Sequence, residues 1–210
     1  MTQDGREETL VRSIIGDAAA AIHRADEAKT GESRRSAIRT ISAAIEGMVW
    51  DYRGHVIWAA TEIDVMTEAD QQALLETVQT IDAQGDLRSQ PRFIPTLSLL
   101  RFLARLAQRV TSDGSIAFGD NHWNMLGETI QIRNRITHPK HASDVIVTGL
   151  DVDRAFAAFN WLCEQIIQSR DALVRAMNDH TAEFWYVLSK LRDEDPFYMA
   201  EYRRIQASLE

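Results

Sequence analysis

The sequence predicts an all-α protein that folds as one helical bundle. Only four prolines and ten glycines interrupt its 210 residues, and apolar residues recur mainly at intervals of three and four, the period of a core-facing helix. No internal repeat, low-complexity tract or glycine-serine linker requires a domain boundary. We therefore expect a single helical domain, residues 1–210, with elaborations at both ends.

A glycine separates the first two helices. The pattern predicts one helix over about residues 7–29, with Gly31 as its stop signal, and a second helix that begins near Ser33. The second helix places six large residues on one stripe, as a core-facing helix requires. These residues are Ile38, Ile41, Ile45, Met48, Tyr52 and Val56.

A capping signal and a proline-containing loop mark the middle of the chain. Thr67 and Asp70 resemble a capping box that opens a shorter helix, which fades by Gly85. A loop with two prolines follows, and then a strongly amphipathic helix over about 96–110. Helical periods dominate throughout, so we expect no sheet.

The second half of the chain contains three further helices. Asp120 is the expected N-cap of a helix that runs to about Thr137. Residues 143–149 are expected to be irregular, with at most a short extended piece. A long helix then covers about 151–192, and a terminal helix covers 197–209.

Composition and charge exclude several classes of function. Thirty-one acidic against 23 basic residues give a formal charge of -8, which disfavours nonspecific coating of nucleic acid, so any such contact has to be local. The single cysteine, Cys163, permits neither an intramolecular disulfide nor a cysteine-based zinc site. The first residues lack a signal-peptide pattern and no apolar run is long enough to span a bilayer. We expect a cytoplasmic protein with no membrane partner.

Arg133, Asn134 and His138 form the one segment whose residue types suggest a chemical function. Arg133 continues the apolar stripe of its helix, so its permanent charge is directed toward the apolar side. Asn134 and His138 are four residues apart and share a face of an unbroken helix. Because a residue before proline is driven out of the α region, Pro139 allows the helix to end at the histidine and the imidazole to turn toward Arg133.

These three residue types suit metal-independent cleavage of RNA. A histidine can move the proton of a 2′-hydroxyl or of a leaving 5′-oxygen, and an arginine can hold the phosphate and stabilise its added negative charge. An asparagine amide can orient the imidazole or donate to the phosphate. RNA supplies its own nucleophile, so no cofactor is expected. The other histidines lack ligand-like spacing, so we also expect no metal site.

The segment Ile132-Arg-Asn-Arg-Ile-Thr-His-Pro-Lys140 resembles the signature of the HEPN superfamily, in which an arginine, a polar residue and, a few residues later, a histidine end a helix. The approach Asn121-His-Trp-Asn-Met-Leu126 and the stretch Val147-Thr-Gly-Leu-Asp-Val-Asp-Arg154 are also similar to HEPN-like proteins. The resemblance covers a core of about 33–170 and leaves helical extensions over 1–30 and 171–210.

The resemblance implies a four- or five-helix bundle that forms a homodimer, so that two Arg/His pairs meet in one cleft. It implies that Arg133 binds or polarises the scissile phosphate, that Asn134 is the polar partner, and that His138 is the acid/base group. Many such proteins are endoribonucleases of toxin-antitoxin, phage-defence or RNA-processing systems, so an antitoxin or regulatory protein is a candidate partner beside RNA. Others lack nuclease activity and serve as nucleotide-binding or assembly modules.

Five further basic residues are candidates for RNA or phosphate contact, namely Arg135, Lys140, His141, Arg101 and Arg105. The first three add positive charge beside the motif, although a solvated surface explains each of them equally well. The last two form, with Arg109, an i, i+4, i+8 ladder that could line an RNA groove, but such rows more often cover the outside of a helix. Trp123 and Trp161 have aliphatic neighbours and are expected in the core.

Three hypotheses follow for the function. The first is a homodimeric endoribonuclease. The second is the same bundle without cleavage, which a buried His138 far from its dimer mate would favour. The third is a purely structural helical protein, which an Arg133 held in an intramolecular ion pair away from any cleft would favour.

Overall fold

Seven α-helices and one β-hairpin make up the part of the chain that the computed structural model describes, residues 10–111 and 116–209. The largely helical architecture confirms the all-α prediction. The helices are α1 Leu10–Ala28, α2 Gly31–Glu62, α3 Glu68–Leu74, α4 Thr96–Thr111, α5 Asn121–Thr137, α6 Gly149–Arg192 and α7 Pro196–Leu209. The strands are β1 Thr77–Ile81 and β2 Leu87–Pro91.

Side-chain caps fix where the helices begin. Thr67 and Thr148 each close a capping box with the aspartate three residues later, which confirms the box expected at Thr67. Thr30 caps α2 in the same way with Ser33, so α2 begins at Gly31, two residues earlier than expected. The stop of α1 is Lys29, which adopts a left-handed φ of 51°.

An antiparallel hairpin stands where the sequence predicted the end of the third helix and a loop, so the prediction of no sheet was wrong. It pairs Thr77 with Pro91 at one end and Ile81 with Leu87 at the other. Its turn is closed by Asp82, whose carboxylate accepts the backbone N–H groups of Gln84 and Asp86 at 2.9 and 3.0 Å, and by Gly85 at a φ of 88°. The strands are almost entirely exposed, and they therefore lack the buried face that marks a strand in a sequence.

The core forms around α2. This helix packs against α1, α4, α5 and α6, and α6 also packs against α4 and α5. All six residues of the predicted α2 stripe are buried, with at most 1% of their surface exposed. Trp123 on α5 and Trp161 on α6 are also buried, which confirms their expected place in the core. Between α5 and α6 the irregular stretch contains a 3₁₀ turn, Ala142–Val145, and its described residues form no strand.

Helix α6 extends beyond this core and contacts α7. Its last buried residue is Leu173, and the rings of Tyr186 and Tyr198 join the two helices edge to face at 6.1 Å. The large aromatic residues exposed on this pair are Phe184, Trp185, Tyr186, Phe197 and Tyr202. No described helix combines the length and the apolar character needed to cross a lipid bilayer.

A buried hydrogen bond of 2.7 Å between the hydroxyls of Tyr52 and Ser169 joins α2 to α6. We expect Tyr52→Phe to lower the free energy of unfolding by about 1–2 kcal/mol at pH 7, because the buried Ser169 hydroxyl loses its partner. Adding Ser169→Ala should recover part of this loss. Chemical denaturation of both variants checks this, and an unchanged stability in Tyr52→Phe would contradict it.

The same tyrosine produces a loss of stability in alkali. Burial, opposed in part by the hydrogen bond with Ser169, raises the pKa of Tyr52 above its ordinary value of 10.0. The folded state therefore holds this proton more tightly than the unfolded state. The stabilisation that comes from this difference in pKa is fully present below the pKa of the tyrosine in the unfolded chain. It is lost as the pH rises from that value through the higher pKa of the folded state. Denaturation from pH 8 to 11 should show a smaller alkaline decline in Tyr52→Phe than in the wild type.

Candidate functional site

Helix α5 ends at the residues that the motif predicts. Its N-cap is Asp120, whose carboxylate accepts the backbone N–H of Trp123 at 3.0 Å, and its last residue is Thr137. His138 is the C-cap, with φ -126° and ψ 60°, and its backbone N–H donates to the carbonyl of Asn134 at 3.0 Å. The predicted helix is confirmed, and it ends before Pro139 because that ring excludes a helical His138.

The His138 side chain is exposed to solvent. No hydrogen bond or ion pair involves its imidazole within residues 10–111 and 116–209. Such a group can exchange protons with a bound molecule without first breaking a contact in the protein. A buried His138 would have favoured the non-cleaving module, and the exposed side chain does not provide that support.

Arg133 is held by contacts within the chain. Its Nη2 forms an ion pair with Oε1 of Glu46 on α2, and its Nη1 donates to Oδ1 of Asn134 at 3.0 Å. Glu46 neutralises a charge that would be costly to hold alone against the apolar side of α5. The Arg133 side chain keeps 29% of its surface exposed and that of Glu46 keeps 44%, so an anion in solution can still reach the pair.

Asn134 interacts with Arg133 in this structure, and no described contact joins its amide to the His138 imidazole. Its side-chain oxygen accepts from Arg133 at 3.0 Å, and the residue is exposed. The amide nitrogen is the donor end of this side chain and has no hydrogen-bond partner among the described residues, so it can donate to a phosphate. The contact with Arg133 places the amide beside the group proposed to hold that phosphate.

The Arg135 side chain forms hydrogen bonds within the protein. Its guanidinium donates to the carbonyls of Ser143 and Ile146, both at 3.1 Å, and so ties the loop after the motif back to α5. Asp144 closes the same loop by accepting the backbone N–H groups of Lys140 and His141 at 2.8 and 2.9 Å. These hydrogen bonds lower the pKa of Asp144. The side chains of Lys140 and His141 remain exposed next to His138.

The three arginines of the ladder on α4 have different surroundings. The Arg101 guanidinium lies 4.9 Å from the ring centroid of Trp123, in the first turn of α5, about 15 Å along the helix axis from Arg133. Arg109 pairs with Asp70 at 2.7 Å, and hydrogen bonds from Thr67, followed by that from Arg109, lower the pKa of Asp70 to about 2. Arg105 between them is exposed. Arg101 and the motif therefore lie at different ends of α5, and Arg109 lies against α3.

Two functional candidates come from α2 and were not expected from the sequence. Glu46 supplies the ion pair to Arg133, and Arg39 donates from Nη2 to the carbonyl of Ile136 at 3.2 Å in the last turn of α5. Glu46 also lines a pocket of about 210 Å³, so the Arg133 ion pair borders a cleft. The purely structural hypothesis is favoured by an Arg133 held in an intramolecular ion pair away from any cleft. The ion pair is present, but it borders a cleft, so only part of that condition is met.

The described residues support neither a metal site nor a cysteine nucleophile. Between residues 10 and 209, apart from 112–115, no three histidine, cysteine or carboxylate side chains group closely enough to hold a metal ion. Burial raises the pKa of the Cys163 thiol to about 11. This cysteine is therefore protonated at neutral pH and is a poor nucleophile.

Comparisons with protein-family models, with curated proteins and with solved structures found no match. The HEPN resemblance therefore depends on the segments 121–126, 132–140 and 147–154 of the sequence and on the position of the motif at a helix end.

The strength of the ion pair between Arg133 and Glu46 distinguishes a functional arginine from a structural one. Because both side chains are partly exposed, we expect a double-mutant cycle of Arg133→Gln and Glu46→Gln to give a coupling below about 1 kcal/mol in the free energy of unfolding. High salt should reduce it further.

The matched control is the pair between Arg154 and Glu128, which joins α6 to α5 at 2.8 Å with side chains 39% and 46% exposed. We expect the two couplings to be similar. A coupling of about 3 kcal/mol for Arg133 alone, the size typical of a broken buried pair, would identify its role as structural.

Proposed function

We propose that the protein is a metal-independent endoribonuclease of the HEPN type, in which Arg133 binds the scissile phosphate and His138 transfers protons. The observation that carries this proposal is the arrangement at the end of α5, where an exposed imidazole without a partner among the described residues follows a guanidinium that solutes can reach. Both groups belong to one helix turn and its cap, and cleavage requires that one phosphodiester reach both of them.

In the proposed reaction the 2′-oxygen of RNA attacks the adjacent phosphorus, and the bond to the 5′-oxygen breaks. The products are a 2′,3′-cyclic phosphate and a free 5′-hydroxyl. The attacking hydroxyl loses a proton and the leaving oxygen gains one, so the step is served best by a base and an acid together. One His138 supplies one of these groups. A homodimer with its motifs facing each other supplies the second imidazole, which is our reason for proposing a dimer.

Phosphate binding exchanges the partners of Arg133. In the free protein its Nη2 faces Glu46, and in the complex the phosphate oxygens take that place, where the guanidinium stabilises the charge that builds up during attack. Because the pair is partly exposed, its opening costs little. The amide nitrogen of Asn134 donates a further hydrogen bond to the phosphate.

A second candidate function is a nucleotide- or RNA-binding or protein-interaction module without cleavage. This candidate requires an anion to reach Arg133, whose side chain is 29% exposed beside Glu46, but it requires no proton transfer by His138. The aromatic residues exposed on α6 and α7 support a protein partner for either candidate, since apolar patches of this kind mark interaction surfaces.

Cleavage in the presence of a chelator tests the two candidates. We expect the wild-type protein to cut mixed-sequence RNA or tRNA in EDTA and to leave 2′,3′-cyclic phosphate ends. His138→Ala should lower the rate by at least about 100-fold, the lower range for the loss of a general acid or base. The matched control is His23→Ala, which removes an exposed histidine from α1 and should cleave like the wild type.

Circular dichroism and size-exclusion chromatography should confirm that each variant folds and assembles as the wild type does. Equal cleavage by His138→Ala would contradict the role of the histidine. No cleavage of several RNAs by the folded wild-type dimer would favour the binding module.

A further inference from the structure

We propose that the pocket beside Glu46 binds one nucleobase of a single-stranded RNA whose phosphate lies on Arg133. The pocket has a volume of about 210 Å³ and lies between α2 and the segment that connects β2 to α4. Glu46 lines it and is also the ion-pair partner of Arg133. The pocket is therefore adjacent to Arg133 through Glu46, which lines the pocket and pairs with the arginine. The inference rests on the proposed binding of RNA and does not require cleavage.

Two exposed aromatic side chains stand at this pocket. Phe93 keeps 83% of its surface exposed and Trp50 keeps 46%. The connection that carries Phe93 is restricted by Pro91 and Pro95, whose rings fix their backbone φ, and by Ile94, which packs on the core. A single exposed aromatic residue is common. Two at one small pocket provide the stacking surfaces on which single-stranded nucleic acids bind.

Arg53 gives this pocket a hydrogen-bond donor that has no acceptor. Its guanidinium lies 4.7 Å from the ring centroid of Trp50, and its Nη2 donates to the carbonyl of Leu74 at 3.0 Å. Its Nε is buried and has no hydrogen-bond partner among the described residues. The buried Nε is out of reach of a ligand, whereas the Nη1 of Arg53 forms no hydrogen bond with a described residue and can donate to a carbonyl or ring nitrogen of a base.

The charge around the pocket favours a strand of RNA over a neutral ligand. Arg92 and Arg53 line the pocket together with Glu46 and Glu76. The lining itself is balanced, and the neighbouring Arg133, the ion-pair partner of Glu46, adds one positive charge in a chain whose formal charge is -8. This local excess lies where the phosphate is proposed to bind.

The size of the pocket selects the kind of RNA. A volume of about 210 Å³ lies below the range of pockets that hold drug-sized ligands, and it suits one planar base. A base can enter such a pocket only when it is unstacked, as in a loop or a single strand. We therefore expect binding to single-stranded RNA and weak binding to a duplex of the same sequence.

Affinity for a labelled 12-nucleotide RNA tests the subsite. The parent protein is His138→Ala, so that the RNA stays intact, and fluorescence anisotropy gives the Kd. Phe93→Ala should weaken binding about tenfold, in the range measured for the loss of one stacked base, and Phe93→Trp should retain it. The matched control is Phe184→Ala on α6, a phenylalanine that is 56% exposed and should not change the Kd.

The outcomes separate the subsite from the proposed reaction. An unchanged Kd in Phe93→Ala overturns the subsite, and wild-type cleavage would still support the endoribonuclease. A Kd that depends on Phe93 in a protein that never cleaves RNA supports the subsite and favours the second candidate function. No binding of the RNA by the parent overturns the subsite together with the proposed phosphate contact.

Discussion

The packing of α2 against α6 forms the surface on which α1, α4 and α5 pack. The inner face of α2 is a continuous buried stripe, and the hydrogen bond between Tyr52 and Ser169 and the ion pair between Asp51 and Arg170 at 2.9 Å join it to α6. Another face of the same helix carries Arg39, Glu46, Trp50 and Arg53, spaced by seven, four and three residues, so that they form one row. A single helix thus supplies the core and one wall of the candidate site.

The candidate site joins this row to the end of α5. Arg133 is permanently charged and sits near the apolar side of its helix, so it requires a nearby anion. In the free protein Glu46 provides that anion, and in the proposed complex the phosphate of RNA replaces it. The proposed exchange would let an acidic protein bind a polyanion at one place only. The charge proposed to attract RNA is local, and Glu46 neutralises part of it in the free protein.

Local signals in the sequence predicted much of the fold and the position of the motif. The cap at Asp120, the stop at Pro139 and the stripe from Ile38 to Val56 depend on residues close in the chain, and all three are found as expected. The hairpin was missed because its strands bury no face, and only the turn at Asp82 and Gly85 marks it. Glu46 was missed because it lies 87 residues from Arg133. Only tertiary packing brings these two residues together.

The same limit applies to the roles of individual arginines. The sequence does not distinguish the roles of Arg135 and Arg101. In the fold Arg135 donates to loop carbonyls, and Arg101 lies over the ring of Trp123. Phe93 is the opposite case, a residue that no motif in the sequence singles out. Its exposure has no sequence signal other than the neighbouring prolines, and its relevance comes from the pocket beside it.

The most direct test of the central claim is whether one ligand contacts Arg133 and His138 together. NMR of ¹⁵N-labelled protein can follow the Arg133 Nε–H and the His138 imidazole during titration with a 12-nucleotide 2′-O-methyl RNA, which cannot be cleaved. The resonances can be assigned by their loss in Arg133→Gln and His138→Ala. We predict that both signals shift with the same Kd. Binding of the RNA that leaves both signals unchanged, or shifts them at different RNA concentrations, would contradict the proposed site.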